Sequence, residues 1–356
     1  MLFNPQRLDL ARKRARFTGR ELSERTGIST STFSRLQSGL VEPTHQDLQR
    51  LSGVLGFPTA FFFRGDFDTL NATAASFRSL TTMTSSERDA SLAAGSIAFE
   101  VCDWINGMFQ LPEPDIAEIE TGTEPATAAR ILRAHWGIGE RPIQNLVHFL
   151  EAKGIRMFSL DEKTKSVDAF SCWRNNEPYI FLNNFKTAER SRFDAAHELG
   201  HLVLHRHGGP DQRNAENEAN TFASSFLMPR ADVLSRASHV NTLGDIIKLK
   251  RRWRVSTAAL MYRLHKLGYI SDWNYRTFNI QLRQAFGDKE PEGIEREKSH
   301  VWVALLRELW KDGKTLDYIA SALDLPATEV RGITFGLTAA FDSPEASRRG
   351  GLTLVK

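Results

Sequence analysis

The stretch that most constrains this chain is Ser191-Arg-Phe-Asp-Ala-Ala-His-Glu-Leu-Gly-His-Leu-Val-Leu-His205. Within it, His197-Glu198-Leu199-Gly200-His201 has the H-E-x-x-H spacing. On a helix, positions four apart share one face about a turn apart, so both imidazoles can hold one metal ion. Glu198 sits beside that pair, where it can take a proton from a water that the ion polarises. Three fixed residues are a short signal, and the bland alternative is a buried helix with two satisfied histidines. The next helical stretch decides between them, because it offers a third ligand.

After a polar, glycine-containing loop, Ala215-Glu-Asn-Glu-Ala-Asn-Thr-Phe-Ala-Ser-Ser-Phe-Leu-Met-Pro229 reads as a helix closed by Pro229. Its apolar face is Ala215, Ala219, Phe222, Ala223, Phe226 and Leu227. Glu216 lies about 60° from the centre of that face and Glu218 about 100°. Glu216 is therefore the expected third ligand and Glu218 the alternative. Asn220, one turn on, is placed to orient a ligand. Two histidines, one carboxylate and an open fourth position make the catalytic zinc pattern, one Zn2+ per chain. That donor set favours zinc over manganese. His205 and His207 read as solvated residues of the helix end and loop, with substrate contact as the alternative.

The 356 residues are enough for two or three domains. Apolar content of 41% and charged content of 25% are those of a soluble globular protein. No run of eighteen apolar residues and no signal-peptide core occurs, so the expectation is a cytoplasmic protein without membrane contact. Cys102 and Cys172 form no C-x-x-C pair, which argues against a disulfide framework or a cysteine zinc site. Residues 1–65 carry ten Lys/Arg against five Asp/Glu, compatible with a phosphate-facing surface.

That N-terminal region reads as short helices. One is basic and runs from Leu8. The next opens on a Thr18/Glu21 capping box and ends at Gly27. A third spans Ile28 to Gly39, and a fourth runs from about Thr44 to Leu55. Two short helices joined at a glycine are the sequence form of a helix-turn-helix. Residues 6–64 resemble the XRE (Cro/repressor-like) DNA-binding family, through Leu22-Ser-Glu-Arg-Thr-Gly-Ile-Ser-Thr-Ser-Thr-Phe-Ser-Arg-Leu-Gln-Ser-Gly39, Glu42-Pro43-Thr44 and Leu48/Leu51/Leu55. The resemblance implies that Thr30, Ser31, Thr32, Ser34 and Arg35 face the groove or phosphates, with Ile28, Phe33 and Leu36 in the core. Gly19 departs from the family, which usually has Gln there as a phosphate contact. A helical module that binds protein rather than DNA is the competing reading.

Further on, a long helix is expected from Ser85/Ser86 to about Phe109, packed through Cys102 and Trp104, then a linker around Pro112, Pro114 and Pro125. Helices follow over Ala126–Trp136 and Ile143–Lys153, then a strand from Ile155. Val167–Trp173 and Pro178–Asn183 read as two strands joined by Arg174-Asn-Asn-Glu177. An edge strand beside the metal helix can hold an extended peptide by strand addition, or the pair can merely cover the core.

Residues 125–275 are similar to the ImmA/IrrE family of zinc-dependent metallopeptidases. The matching residues run from Phe185 to His205, from Glu216 to Pro229, and over Leu249-Lys-Arg-Arg-Trp-Arg-Val-Ser-Thr-Ala-Ala-Leu-Met-Tyr-Arg-Leu-His265. The resemblance implies cleavage of an XRE-type repressor, relieving repression under stress or mobile-element induction. Phe77-Arg-Ser-Leu80 resembles a short motif common in fused members. The fold expected is α+β and predominantly helical. It comprises a five-helix helix-turn-helix domain (1–65), a connector (66–124), a zincin-like metallopeptidase domain with a small sheet (125–275) and a C-terminal helical region (276–356). The expected partners are a DNA operator and a protein substrate, and a homodimer is compatible with both. The rival is a DNA-binding regulator whose zinc domain senses a signal or partner without hydrolysis.

Residues 242–275 hold seven Lys/Arg against two Asp/Glu, either a solvated face or a second nucleic-acid surface. Trp253, Trp273 and Tyr275 read as packing residues. Leu316–Val330 has a weak helix-turn-helix look, and Ser343 onward reads as a loose tail.

Overall fold

The computed structural model describes residues 2–71, 83–160, 169–183, 185–207, 211–237 and 240–334, and the backbone of 76–77. Arg78–Leu80 and the segment from Ser343 lie outside the described residues. The chain is α+β and mainly helical. Helices α1 (Pro5–Arg14), α2 (Gly19–Thr26), α3 (Thr30–Gln37) and α4 (His45–Leu55) are followed by a 3-10 turn at Thr59–Phe63. The fifth helix expected there is thus a single short 3-10 segment. Thr18 and Thr44 close capping boxes with Glu21 and Asp47, and Gly27 and Gly56 end their helices in the left-handed conformation.

Strand β1 (Ser76–Phe77) precedes the long helix α5 (Ser85–Asn106). Next come α6 (Pro125–His135), α7 (Leu146–Ala152), β2 (Arg156–Leu160), β3 (Phe170–Arg174) and β4 (Glu177–Asn183). Helix α7 starts three residues later than expected because the Asn145 side chain caps it at the His148 amide. The strands form one mixed sheet in the order β1-β3-β4-β2. Asn175 and Asn176 both take positive φ, the two-residue turn that lets β3 and β4 pair antiparallel.

The sheet is apolar on both faces, and the two-residue period of its strands divides the core. Phe158, Leu160, Phe170, Cys172, Tyr179 and Phe181 face a cluster shared with α1–α5 and, beyond residue 300, the last helices. Met157, Ile180 and Leu182 face a second cluster built with α6, α7 and the helices that follow β4. Those helices are α8 (Ala188–Leu204), α9 (Gln212–Leu227), α10 (Arg230–Ala237), α11 (Leu243–Leu249), α12 (Thr257–Lys266) and α13 (Asp272–Phe286).

Helices α14 (His300–Lys311), α15 (Leu316–Ala322) and α16 (Ala327–Ile333) return the chain to the first cluster. The weak helix-turn-helix pattern falls on α15 and α16. Val330 and Ile333 of α16 are buried, and Ser159 donates to the Gly332 carbonyl at 2.6 Å, so much of this helix packs into the fold. Arg14 pairs with Glu329 at 2.7 Å and Arg64 with Asp324 at 3.0 Å, fastening the N-terminal helices to the last ones. Buried Arg7 makes a bidentate pair with Glu100 of α5 at 2.6 and 2.7 Å.

In the basic 242–275 stretch Lys248, Arg251 and Lys266 are exposed, but other charges turn inward. Lys250 is buried against Glu290 at 2.9 Å, Arg252 pairs with Asp232, and Arg263 donates to the Met228 carbonyl and Ser225. Several of its charges therefore work inside the fold. Trp253 is fully buried and donates to Asp232, but Trp273 is 73% exposed, contrary to its expected packing role.

Candidate metal centre

Helix α8 begins at the Thr187 cap and is buried along most of its length, including His197, Glu198 and His201. Helix α9 packs across it, and Gly200 sets how closely. A Cβ on Gly200 would lie 3.1 Å from the Phe222 ring, 3.2 Å from Ala219 Cα and 3.3 Å from the Ala219 carbonyl oxygen. Only glycine lets the backbone of α9 come this near α8. Gly200→Ala is expected to cost a net 1–2 kcal/mol or so, because overpacking against backbone outweighs alanine's helix preference of about 1 kcal/mol. It should also weaken metal binding by pushing Glu216 away. A zinc-free variant that melts with the wild type would show instead that α9 yields freely.

The close crossing brings the carboxylate of α9 to the histidines. His197 Nε2 lies 3.2 Å from Glu216 Oε2, His201 Nε2 lies 3.3 Å from Glu216 Oε1, and the two Nε2 atoms are 3.1 Å apart. One ligand atom from each of the three residues falls within 4.8 Å of the others, the sole such cluster of His, Cys, Asp and Glu among the described residues. Burial pushes the Glu216 carboxyl up, but hydrogen bonds from His197 and His201 outweigh it and hold the pKa at about 2. Glu216 is thus ionised, as a metal ligand must be. Two imidazole nitrogens and an ionised carboxylate fit a zinc ion with room for a further ligand.

The neighbours of these groups explain their orientation. Asn220 Oδ1 lies 3.1 Å from His197 Nδ1. Glu218 does not join the cluster: its Oε2 is 3.0 Å from His205 Nε2. His205 was expected to be solvated. It is instead mostly covered, with Nδ1 3.0 Å from His201 Nδ1. Burial lowers its pKa below the ordinary histidine value, against the opposing pull of Glu218. His207 is exposed, as expected.

Glu198 is buried and accepts from Ser171 Oγ at 2.8 Å. Ser171 was not singled out in the sequence. Its signal is a hydroxyl at a fully covered position between Phe170 and Cys172, where a polar side chain needs a partner. The strand that carries it is not a free edge at this point. β1 pairs antiparallel with β3, Ser76 opposite Ser171 and Phe77 opposite Phe170. An extended peptide can add at these two positions only if β1 leaves.

Residues 150–265 match the family model Peptidase_M78, the IrrE N-terminal-like domain. The M78 match contains β2, β3, β4, α8 and α9, and hence every residue of the cluster. It supports the ImmA/IrrE resemblance and a metallopeptidase domain. A comparison with curated proteins found no match.

The residues expected to meet DNA all lie on α3. Thr30, Ser31, Ser34 and Arg35 are exposed, while Thr32 is half-buried and bonded to the Ser29 cap. Ile28, Phe33 and Leu36 are buried. Gly19, the departure from the XRE pattern, lies against Phe33: a Cβ there would be 3.3 Å from that ring.

Proposed function

We propose that the chain is a zinc-dependent endopeptidase joined to a DNA-binding module, and that it regulates transcription by cleaving an XRE-type repressor. The observation that carries this reading is the meeting of His197, His201 and Glu216 beside a buried Glu198. A closed structural site has no need of an adjacent base. When bound, zinc polarises the scissile carbonyl and makes water a better nucleophile near neutral pH. Glu198 takes the proton of the attacking water on its carboxylate and returns it to the leaving nitrogen. Ser171 holds that carboxylate in place, and His197, His201 and Glu216 hold the ion.

Exposed hydroxyls and Arg35 on α3 support operator binding, with α3 as the helix that enters the groove. Binding an operator would set the peptidase beside a DNA-bound repressor in the cytoplasm. A shift of promoter DNA that weakens steeply with salt is the expected sign of this contact.

The deciding experiment combines elemental analysis with cleavage. Wild-type chain should carry one zinc and His197→Ala none, and only the wild type should cut XRE-type repressors encoded nearby. Zinc without cleavage of any candidate would favour a sensor that acts through DNA binding alone. A wild type without metal would remove the centre of the proposal.

A further inference from the structure

His205, the residue that caps the C-terminus of α8, continues the row of its two histidines. Positions 197, 201 and 205 are each four apart, so one face presents all three rings. Both ring nitrogens of His205 have partners, His201 Nδ1 at 3.0 Å and Glu218 Oε2 at 3.0 Å. A hydrogen bond between two imidazole nitrogens requires a proton on one and a lone pair on the other. His201 turns Nε2 toward His197 and Glu216. With that nitrogen used as a ligand, the ring proton of His201 sits on Nδ1 and is donated to His205 Nδ1. The proton of His205 then sits on Nε2, where the Glu218 carboxylate accepts it. Every proton in the row has one acceptor, and the direction is fixed as long as His201 ligates through Nε2.

We propose that His205 and Glu218 are positioning residues that orient His201 for the metal, an inference that rests on the zinc reading above. The two metal-facing histidines are thereby supported differently. His197 leans on the neutral amide of Asn220. His201 leans on a carboxylate acting through an intervening imidazole, which locks its tautomer and raises its basicity as a ligand. Glu218 serves the site from behind rather than as a competing ligand.

The test measures zinc affinity of the full-length chain by competition with a chelator. His205→Phe keeps a ring of similar size without the nitrogens, and Glu218→Ala removes the carboxylate. Each should weaken zinc binding by about 10–100-fold. The double variant should be no weaker than the worse single one, because the two residues act in series. Glu218→Gln, which keeps an acceptor oxygen, should recover part of the loss. Melting of the zinc-free chains should be unchanged, which separates orientation of His201 from a packing role. Wild-type zinc affinity in both single variants overturns the relay while leaving the metal centre intact, and so do losses that add in the double variant. A wild type that binds no zinc overturns the metal centre and the relay together.

Discussion

Glu198→Gln is expected to leave zinc bound and to lower the rate of repressor cleavage by about 10²–10⁴-fold, the usual contribution of a positioned general base. The substitution is close to isosteric, and Glu198 is only 1% exposed, so packing around it changes little. The Gln carbonyl can still accept from Ser171 Oγ, now 2.8 Å from Glu198 Oε2. What is lost is the capacity to take a proton. Paired measurement of zinc content and cleavage separates this effect from loss of the ion, which His197→Ala should produce. A Gln variant that cuts at the wild-type rate would remove Glu198 from the chemistry.

The second large effect concerns stability. Glu297, in the segment between α13 and α14, reaches back to Arg192 on α8, and their side chains are 5% and 1% exposed. Its other oxygen accepts from the amides of Leu146 and Val147 at 2.8 and 3.2 Å, at the start of α7. Glu297→Ala strands a buried guanidinium and two helix-terminal amides, and is expected to cost about 3–5 kcal/mol. Replacing both partners by Met should cost less than Glu297→Ala alone, because no charge is then left uncompensated. Denaturant midpoints of the two variants decide the matter, and a loss below roughly 1 kcal/mol for Glu297→Ala would show that water reaches Arg192.

Much of this arrangement is legible from local chemistry. The caps at Thr18, Thr44 and Thr187 announce their helices, and the Asn175-Asn176 pair announces its turn, because each acts over a few residues. The convergence of Glu216 with the histidines follows from helical phase once α8 and α9 are taken to pack together. What stayed hidden depends on tertiary neighbours. His205 looked like a loop residue because nothing in the sequence says that Glu218 comes back to meet it. Ser171 is one hydroxyl in an apolar strand until Glu198 is set against it. The charges of 242–275 show their sign but not their partners, so Lys250 could not be seen to be buried with Glu290. The exposure of Trp273 is the reverse case, an aromatic whose composition implies packing and whose helix leaves it in solvent.

The first hydrophobic cluster joins the two ends of the described chain, from Phe3 to Ile333. Arg14 and Glu329 meet across 315 positions of sequence. During synthesis, the sheet face and the side of α5 that receive α14–α16 are made long before the residues that cover them. At about 5–20 residues per second, that surface waits on the order of ten seconds or more for its lid. Long-range closure of this kind slows folding and exposes apolar strands to association. A nascent or prematurely terminated chain therefore carries an unfinished apolar core beside its first helices.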